Sequence, residues 1–142
     1  MTRVEFFVNV PDKLVQVASL CGKALSKGRQ LTVFAENERI CKDLQHILWQ
    51  HEASSFLPSA LSREPLSKVT PIVLAIDGLN LIQDDVLINL QSDCPPFFSR
   101  FRYLIEIVGQ DEADKAQARM RYKFYRDRGY QIKSTDLAAA PQ

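Results

Sequence analysis

Short apolar runs alternate along this chain with segments whose apolar residues recur at helical spacing, and this alternation limits the possible folds more than any other feature. Strand-like runs occupy residues 3–10, 30–35, 71–77, 85–90, 103–108 and 130–133. Helical segments begin at Pro11-Asp12, at Glu36-Asn37 and near Asp111, and a short one begins at Pro95-Pro96. Gly28 stands where the first of these helices needs a C-cap, which predicts its end there. Strands that alternate with helices predict an α/β fold, a three-layer domain whose mostly parallel sheet carries helices on both faces.

The length of the chain predicts one domain. Its 142 residues suffice for a single core without disulfides or metals. We place the domain at residues 1–137 and expect the remaining tail, 138–142, to be frayed because it offers little to bury. Residues 51–71 are rich in serine and proline and predict a loop much longer than the usual connection of about 4–6 residues.

Charge and cysteine usage narrow the class of protein. Lys and Arg number 18 against 17 Asp and Glu, so the net charge of +1 gives no general attraction to a polyanion. Any electrostatic function must come from local clustering. The cysteines, Cys21, Cys41 and Cys94, form no CxxC pair and predict a reduced, cytoplasmic protein. No apolar run approaches the ~20 residues that span a membrane, so we expect no membrane partner.

The residues do not predict an active site. Neither GxGxxG nor GxxxxGK[ST] occurs, and the turn after the first strand, NVPDK, has no glycine with which to approach a phosphate. His46 and His51 would lie on different faces of a helix, which suits neither a shared metal nor a catalytic pair. Cys94 before two prolines is better explained as a packing thiol than as a nucleophile. We therefore predict a protein that is not an enzyme by itself and needs no cofactor or metal.

The last helical segment carries a basic stripe. With about 3.6 residues per turn, Lys115, Arg119, Tyr122 and Arg126 fall within roughly a 60° arc, with Lys123 beside them. The opposite side would present the core-facing residues Ala113, Ala116, Met120 and Phe124. This arrangement predicts a cationic surface, with one aromatic side chain in it, that is free to bind.

The residues alone leave two questions open: whether the stripe binds a ligand at all, and which of two kinds of ligand it would bind. A run of charges is usually a solvated helix face, and cations near a helix C-terminus complement its dipole. Lys115 and Arg119, however, lie in the first half of the helix, where the dipole does not favour them. An acidic segment with an apolar element fits arginine forks and a tyrosine, and single-stranded nucleic acid is the competing ligand.

A second candidate surface surrounds Trp49 at the end of the second helix, with Phe56 in the loop that follows. These aromatic side chains could cover the core of the domain. They could equally anchor a partner, because Trp and Phe are favoured at protein interfaces. The residues alone do not decide between the two.

Several segments together resemble the chi subunit of bacterial DNA polymerase III. They are EFFVNV, ILWQHEASSFLP, DVLINLQSDCPPFFSRFRYLIEIV and ARMRYKFYRDRGYQI, in the order and spacing of that family. The resemblance covers nearly the whole chain, and it implies a Rossmann-like fold without a phosphate-binding loop.

The resemblance also implies partners and site residues. It implies a non-catalytic accessory subunit of the clamp-loader assembly in the cytoplasmic replisome, which bridges the psi subunit and the acidic C-terminal tail of single-stranded DNA-binding protein. Contact with nucleic acid would be indirect. The family's tail-binding positions match Val108, Lys115, Arg119, Tyr122, Lys123 and Arg126. Its contacts to psi, or to a helicase-like alternative partner, match Trp49 and Phe56.

The chain departs from the family pattern near this second surface. Gln45 and Ser59 stand where the family often has Asp and His. The alternative function is a small α/β nucleotide-binding protein or enzyme whose site follows no recognisable motif.

Overall fold

A computed structural model describes residues 2–50, 59–61, 71–78, 81 and 83–138. Within them the chain forms three α-helices: α1 Lys13–Ser26, α2 Glu38–Gln50 and α3 Glu112–Asp127. The described strands are β1 Arg3–Val8, β2 Leu31–Phe34, β3 Ser59–Leu61, β4 Ile72–Ala75, β5 Val86–Asn89, β6 Tyr103–Ile107 and β7 Ile132–Asp136. The segment after Pro95-Pro96 is a single 3₁₀ turn, Phe98–Arg100, rather than a longer helix.

The described strands form one parallel sheet in the order β3-β4-β2-β5-β6-β1-β7. The predicted α/β class with helices on both faces is therefore confirmed. The strands β2, β4 and β5 are buried at every position and are mostly apolar, because both of their faces are covered.

Local capping fixes where α1 begins and ends. The Asp12 carboxylate accepts a hydrogen bond from the Val15 backbone N–H at 3.2 Å, which satisfies one of the free donors of the first turn. At the other end Gly28 has φ +72°, and the N–H of Arg29 donates to the Ala24 carbonyl at 2.9 Å. A glycine reaches this left-handed conformation without strain, so the predicted helix stop at Gly28 is confirmed.

The core consists of two apolar clusters, one on each face of the sheet. Under α1 and α2 lie buried side chains that include Val17, Cys21, Leu44, Val33 and Ile88. Under α3 and the 3₁₀ turn, aromatic side chains dominate, among them Phe6, Phe98, Phe101 and Tyr125. None of the helices in the described residues combines the length and apolar character that a membrane crossing requires.

Two boundaries differ from the sequence predictions. Ser59–Leu61 forms the edge strand β3, paired with β4, inside the stretch predicted to be a loop. Three residues are too few to show a strand period, which explains the miss. The last strand was predicted to end at Lys133, but Ser134, Thr135 and Asp136 still pair with β1. Residues 51–58 and 62–70 of the predicted loop, and the tail beyond Ala138, lie outside the described residues.

Candidate peptide-binding site

Helix α3 starts at the carboxyl end of β6, where side chains on the loop and helix are brought to one edge of the sheet. Asp114 in its first turn accepts from the backbone N–H of Gly109 at 2.7 Å and from Nζ of Lys13 at 3.2 Å. Its last turn ends in a Schellman motif, because Gly129 at φ +84° lets the N–H of Tyr130 reach the Tyr125 carbonyl at 3.2 Å. Both ends of α3 are therefore fixed.

A buried polar network fixes the rotation of α3 about its axis. Glu106 on β6 is fully buried, and its carboxylate accepts from Arg121 Nε at 2.9 Å and from the Tyr125 hydroxyl at 2.6 Å. Asn89 on β5 donates to the same carboxylate at 3.0 and 3.1 Å. Arg121 Nη1 also donates to the Ser92 carbonyl at 2.9 Å, so one guanidinium links the helix to a strand and a loop.

Burial governs the ionisation of this network. Desolvation raises the pKa of the Glu106 carboxyl, while Arg121, Tyr125 and Asn89 oppose that rise. Burial, together with the neighbouring Glu106, raises the pKa of the Tyr125 hydroxyl, which therefore stays a hydrogen-bond donor at neutral pH. A charged residue held this far from water is tolerated because every oxygen of the carboxylate has a partner.

The prediction that Ala113, Ala116, Met120 and Phe124 face the core holds for Phe124, which packs half-buried against the aromatic cluster, and was wrong for the other three. Met120 is 74 % exposed and both alanines are exposed, whereas the buried residues of α3 are Ala118, Arg121 and Tyr125. Assigning the core face by apolar residues alone failed because the helix buries an arginine, whose partner lies on the sheet.

A cavity of about 250 Å³ lies between the first half of α3 and the ends of β1, β6 and β7. Val108, itself buried, lies in its wall together with Phe6, Val8 and Ala118. Lys115, Arg119 and Tyr122 come from α3, and Asn9 and Ser134 complete the lining. Among these described lining residues there are two cations and no carboxylate.

Four of the six predicted tail-binding residues meet at this cavity, namely Val108, Lys115, Arg119 and Tyr122. Lys115 is half-buried and Arg119 exposed, while the Tyr122 ring lies 5.5 Å from the Phe6 ring and remains 36 % exposed. Lys123 and Arg126 are exposed on the same helix but do not line the cavity. Arg126 instead lies 3.5 Å from Asp127.

Sequence reasoning missed the contribution of the sheet to this cavity. Phe6, Val8, Asn9 and Ser134 come from β1, the following turn and β7, and helical geometry within α3 could not identify them. A signal for the supporting network was nevertheless present, since a lone glutamate inside the apolar run YLIEIV demands a buried partner. The isolated charge therefore points to an arginine or tyrosine on the element that covers it.

The second predicted surface is described only in part. Trp49 ends α2 with 61 % of its surface exposed, so in the described part of the chain it does not cover the core. Phe56 lies outside the described residues, as does His51.

His46 is exposed on α2, and Cys94 is half-buried. In the described ranges no group of three or more His, Cys, Asp or Glu side chains is placed to hold a metal ion.

The fold and the cavity define a class: a parallel α/β domain with a small, apolar-walled, cationic cavity at the carboxyl edge of its sheet. The family profile described as DNA polymerase III chi subunit, HolC, matches residues 1–133, and the chain belongs to this family. It is 33% identical over 138 residues to DNA polymerase III subunit chi of Haemophilus influenzae, an alignment covering 94% of this chain and 96% of that protein. It is 31% identical over 141 residues to the Pseudomonas aeruginosa subunit chi, covering 96% and 98%, and 26% identical over 117 residues to that of Escherichia coli, covering 82% and 80%.

Proposed function

We propose that this chain is a non-catalytic accessory subunit of the replicative DNA polymerase III, and that it bridges the psi subunit to the acidic C-terminal tail of single-stranded DNA-binding protein. It acts in the cytoplasm, at the replisome, and contacts DNA only through that protein. Membership in the chi family supports the polymerase context. The cavity beside α3 carries the choice of ligand, because it combines apolar walls with Lys115 and Arg119 and has no carboxylate among its described lining residues.

The chemistry of the cavity favours a chain terminus over an internal acidic segment. An α-carboxylate accepts bidentate hydrogen bonds from a guanidinium, and Arg119 is the arginine that lines the cavity. The apolar side chain of the last tail residue would then pack against Val108 and the ring of Tyr122. The cavity, about 250 Å³, has room for one such side chain and its carboxylate.

Lys123 and Arg126 have a different role in this proposal. They are exposed and follow the cavity along α3, so they attract the aspartates that precede the terminal residue. Exposed ion pairs contribute little energy each and are screened by salt. The tail should therefore bind weakly and with a salt dependence that these two residues dominate.

Isothermal titration calorimetry with a synthetic peptide of the organism's own binding-protein tail tests the proposal. Arg119→Ala and Lys115→Glu should each lower the affinity at least about tenfold, a change of roughly 1.4 kcal/mol, because each removes a cation from the cavity. Lys42→Glu serves as the control, since Lys42 is an exposed cation on α2. This variant should bind the peptide like the wild type. Wild-type affinity in both cavity variants would remove the site assignment.

The psi-binding half of the proposal rests on Trp49. An exposed tryptophan at a helix end is the kind of side chain that anchors an interface, and its exposure of 61 % leaves it available. Phe56 is proposed as its companion, and a helicase-like protein as an alternative occupant of the same surface. Trp49 belongs to α2 on the opposite face of the sheet from α3, so both partners could bind at once.

A further inference from the structure

One face of the sheet is covered incompletely, and this leaves a groove that is separate from both surfaces described above. Helices α1 and α2 pack over one side of the sheet, and their cluster buries Ile107 at the carboxyl end of β6. Nearer the amino end of that strand, Tyr103 and Ile105 are only half-buried. A cavity of about 420 Å³ lies there, between α1 and the strands β6, β1 and β7. In a three-layer domain this is the position of a further helix.

The position of this groove is set by strand register. Glu5 on β1 pairs with Ile105 on β6 and with Lys133 on β7, and residues paired in this way share a face. Alternate residues of β1, Val4 and Phe6, point to the α3 side instead. The groove therefore lies on the opposite face from the tail cavity and toward the amino ends of the strands.

The rim of the groove is cationic. Arg3 and Lys133 lie on the sheet side, Lys23 lies in the last turn of α1, and Lys27 is the C-cap of that helix; all four are exposed. Among the described residues none of these four forms an ion pair within 4 Å. The carboxylate of Glu5 is the acidic side chain in the described lining, so positive charge predominates and selects an acidic occupant.

The floor and wall of the groove are aliphatic. Leu20 and Ala24 follow the flank of α1 one turn apart, on the same stripe as Lys23 and Lys27, and Ile105 lies on the strand beside them. An amphipathic helix laid along α1 would place its apolar stripe on these residues and its acidic flanks against the lysines. Charge and apolar pattern therefore match one kind of ligand.

Nucleic acid fits this groove less well, because its aromatic ring is already covered. The Arg29 guanidinium carbon lies 4.7 Å from the centroid of the Tyr103 ring, and Arg29 is held there by its ion pair and hydrogen bonds to Asp85. A base cannot stack on a ring that a guanidinium occupies, so the groove offers rim cations to a phosphate but no stacking platform to a base.

We infer that the groove between α1 and strands β6, β1 and β7 is a third docking surface, and that it binds an acidic amphipathic helix of a partner protein. The inference does not depend on the tail cavity or on Trp49. The bound helix would complete the layer that α1 and α2 begin.

Amide chemical-shift mapping on the full chain tests this with a defined probe: an 18-residue synthetic peptide, amidated, with leucine at helical i, i+3, i+4 spacing and glutamate elsewhere. Amidation keeps the peptide from presenting a terminal carboxylate to the tail cavity. The expected shifts cluster at Arg3, Lys23, Lys27, Tyr103 and Lys133. A peptide of the same composition with the leucine spacing scrambled should bind at least about tenfold more weakly.

Matched variants locate the contact. Lys23→Glu with Lys27→Glu should weaken binding of the helical peptide about tenfold or more, since two attractive charges become repulsive. Lys42→Glu, on exposed α2, should leave it unchanged. Equal binding of the two peptides, shifts confined to the cavity around Arg119, or an unchanged affinity in the double variant would each overturn the inference. The inference would also be overturned if a thymidine 20-mer shifted the amide signals of the groove and the peptide did not.

Discussion

The side chains of Glu106 and Arg121 form an ion pair of 2.9 Å with almost no exposure to solvent, joining the strand β6 to the helix α3. Arg121 lies one residue before Tyr122 and two residues after Arg119 in α3. The ion pair between Glu106 and Arg121 therefore sets the direction in which the cavity residues point. The internal ion pair thus positions the external cationic site.

Arg121→Met should destabilise the protein strongly. Removing the guanidinium leaves the Glu106 carboxylate buried without its cation, a change that typically costs about 3–5 kcal/mol. Urea denaturation followed by circular dichroism measures the loss. Combining Arg121→Met with Glu106→Gln should cost less than the sum of the two single changes, because the double variant buries no unpaired charge; strictly additive costs would show that the pair does not act as a unit.

Tyr122 should contribute to peptide binding through its ring and not through its hydroxyl. The ring packs 5.5 Å from Phe6 and lines the cavity beside Val108. Tyr122→Phe should keep the tail-peptide affinity within about twofold, whereas Tyr122→Ala should lower it about tenfold. Calorimetry on both variants separates the two roles, and a large loss in the phenylalanine variant would contradict this division.

The pair Asp85 and Arg29 should make stability depend on acidic pH. Hydrogen bonds from Arg29 hold the pKa of the Asp85 carboxyl below its ordinary value. A lowered folded-state pKa stabilises the protein above the unfolded pKa of about 3.9, and this contribution is lost as pH falls through the folded value. Asp85→Asn should therefore cost about 1–2 kcal/mol at neutral pH and progressively less below about pH 4.

Denaturant titrations at a series of pH values measure this effect. Asp43→Asn is the control, because Asp43 is an exposed carboxylate on α2. A constant difference between Asp85→Asn and the wild type across the acidic range would show that the carboxylate charge does not matter.

Trp49→Ala should separate the two proposed partners. An exposed side chain can be removed at a cost of about 0.5 kcal/mol or less, so the fold should survive. Co-purification with psi should weaken while calorimetry with the tail peptide gives the wild-type affinity. Loss of both interactions, with an altered melting curve, would mean that the residue supports the fold and not an interface.

The sequence predicted the fold well where patterns are local and long. Apolar runs gave six strands, and capping residues such as Asp12 and Gly28 gave the limits of α1. It failed where a contact joins distant residues. Nothing in the periodicity of α3 shows that Arg121 is buried, because that depends on Glu106 fifteen residues earlier in the chain. The strand β3 was missed because pairing with β4, not its three residues, makes it a strand.

The candidate site followed the same division. Lys115, Arg119 and Tyr122 could be grouped from helical spacing because they share one element. Asn9 and Ser134 could not, since only the parallel pairing of β1 with β7 brings them to the cavity. Val108 was predicted as a site residue from the family resemblance alone. As an apolar residue in a strand-like run it would otherwise be assigned to the core, and it is buried.

The central claim is that the α3 cavity holds the free carboxyl terminus of an acidic tail. Calorimetric titration of the wild-type chain with the tail peptide, once with a free terminal carboxylate and once amidated, tests it most directly. Amidation removes the terminal carboxylate that pairs with Arg119, so the amidated peptide should bind at least about tenfold more weakly. Equal affinity for the two peptides would contradict the account, because the cavity would then not recognise a terminus.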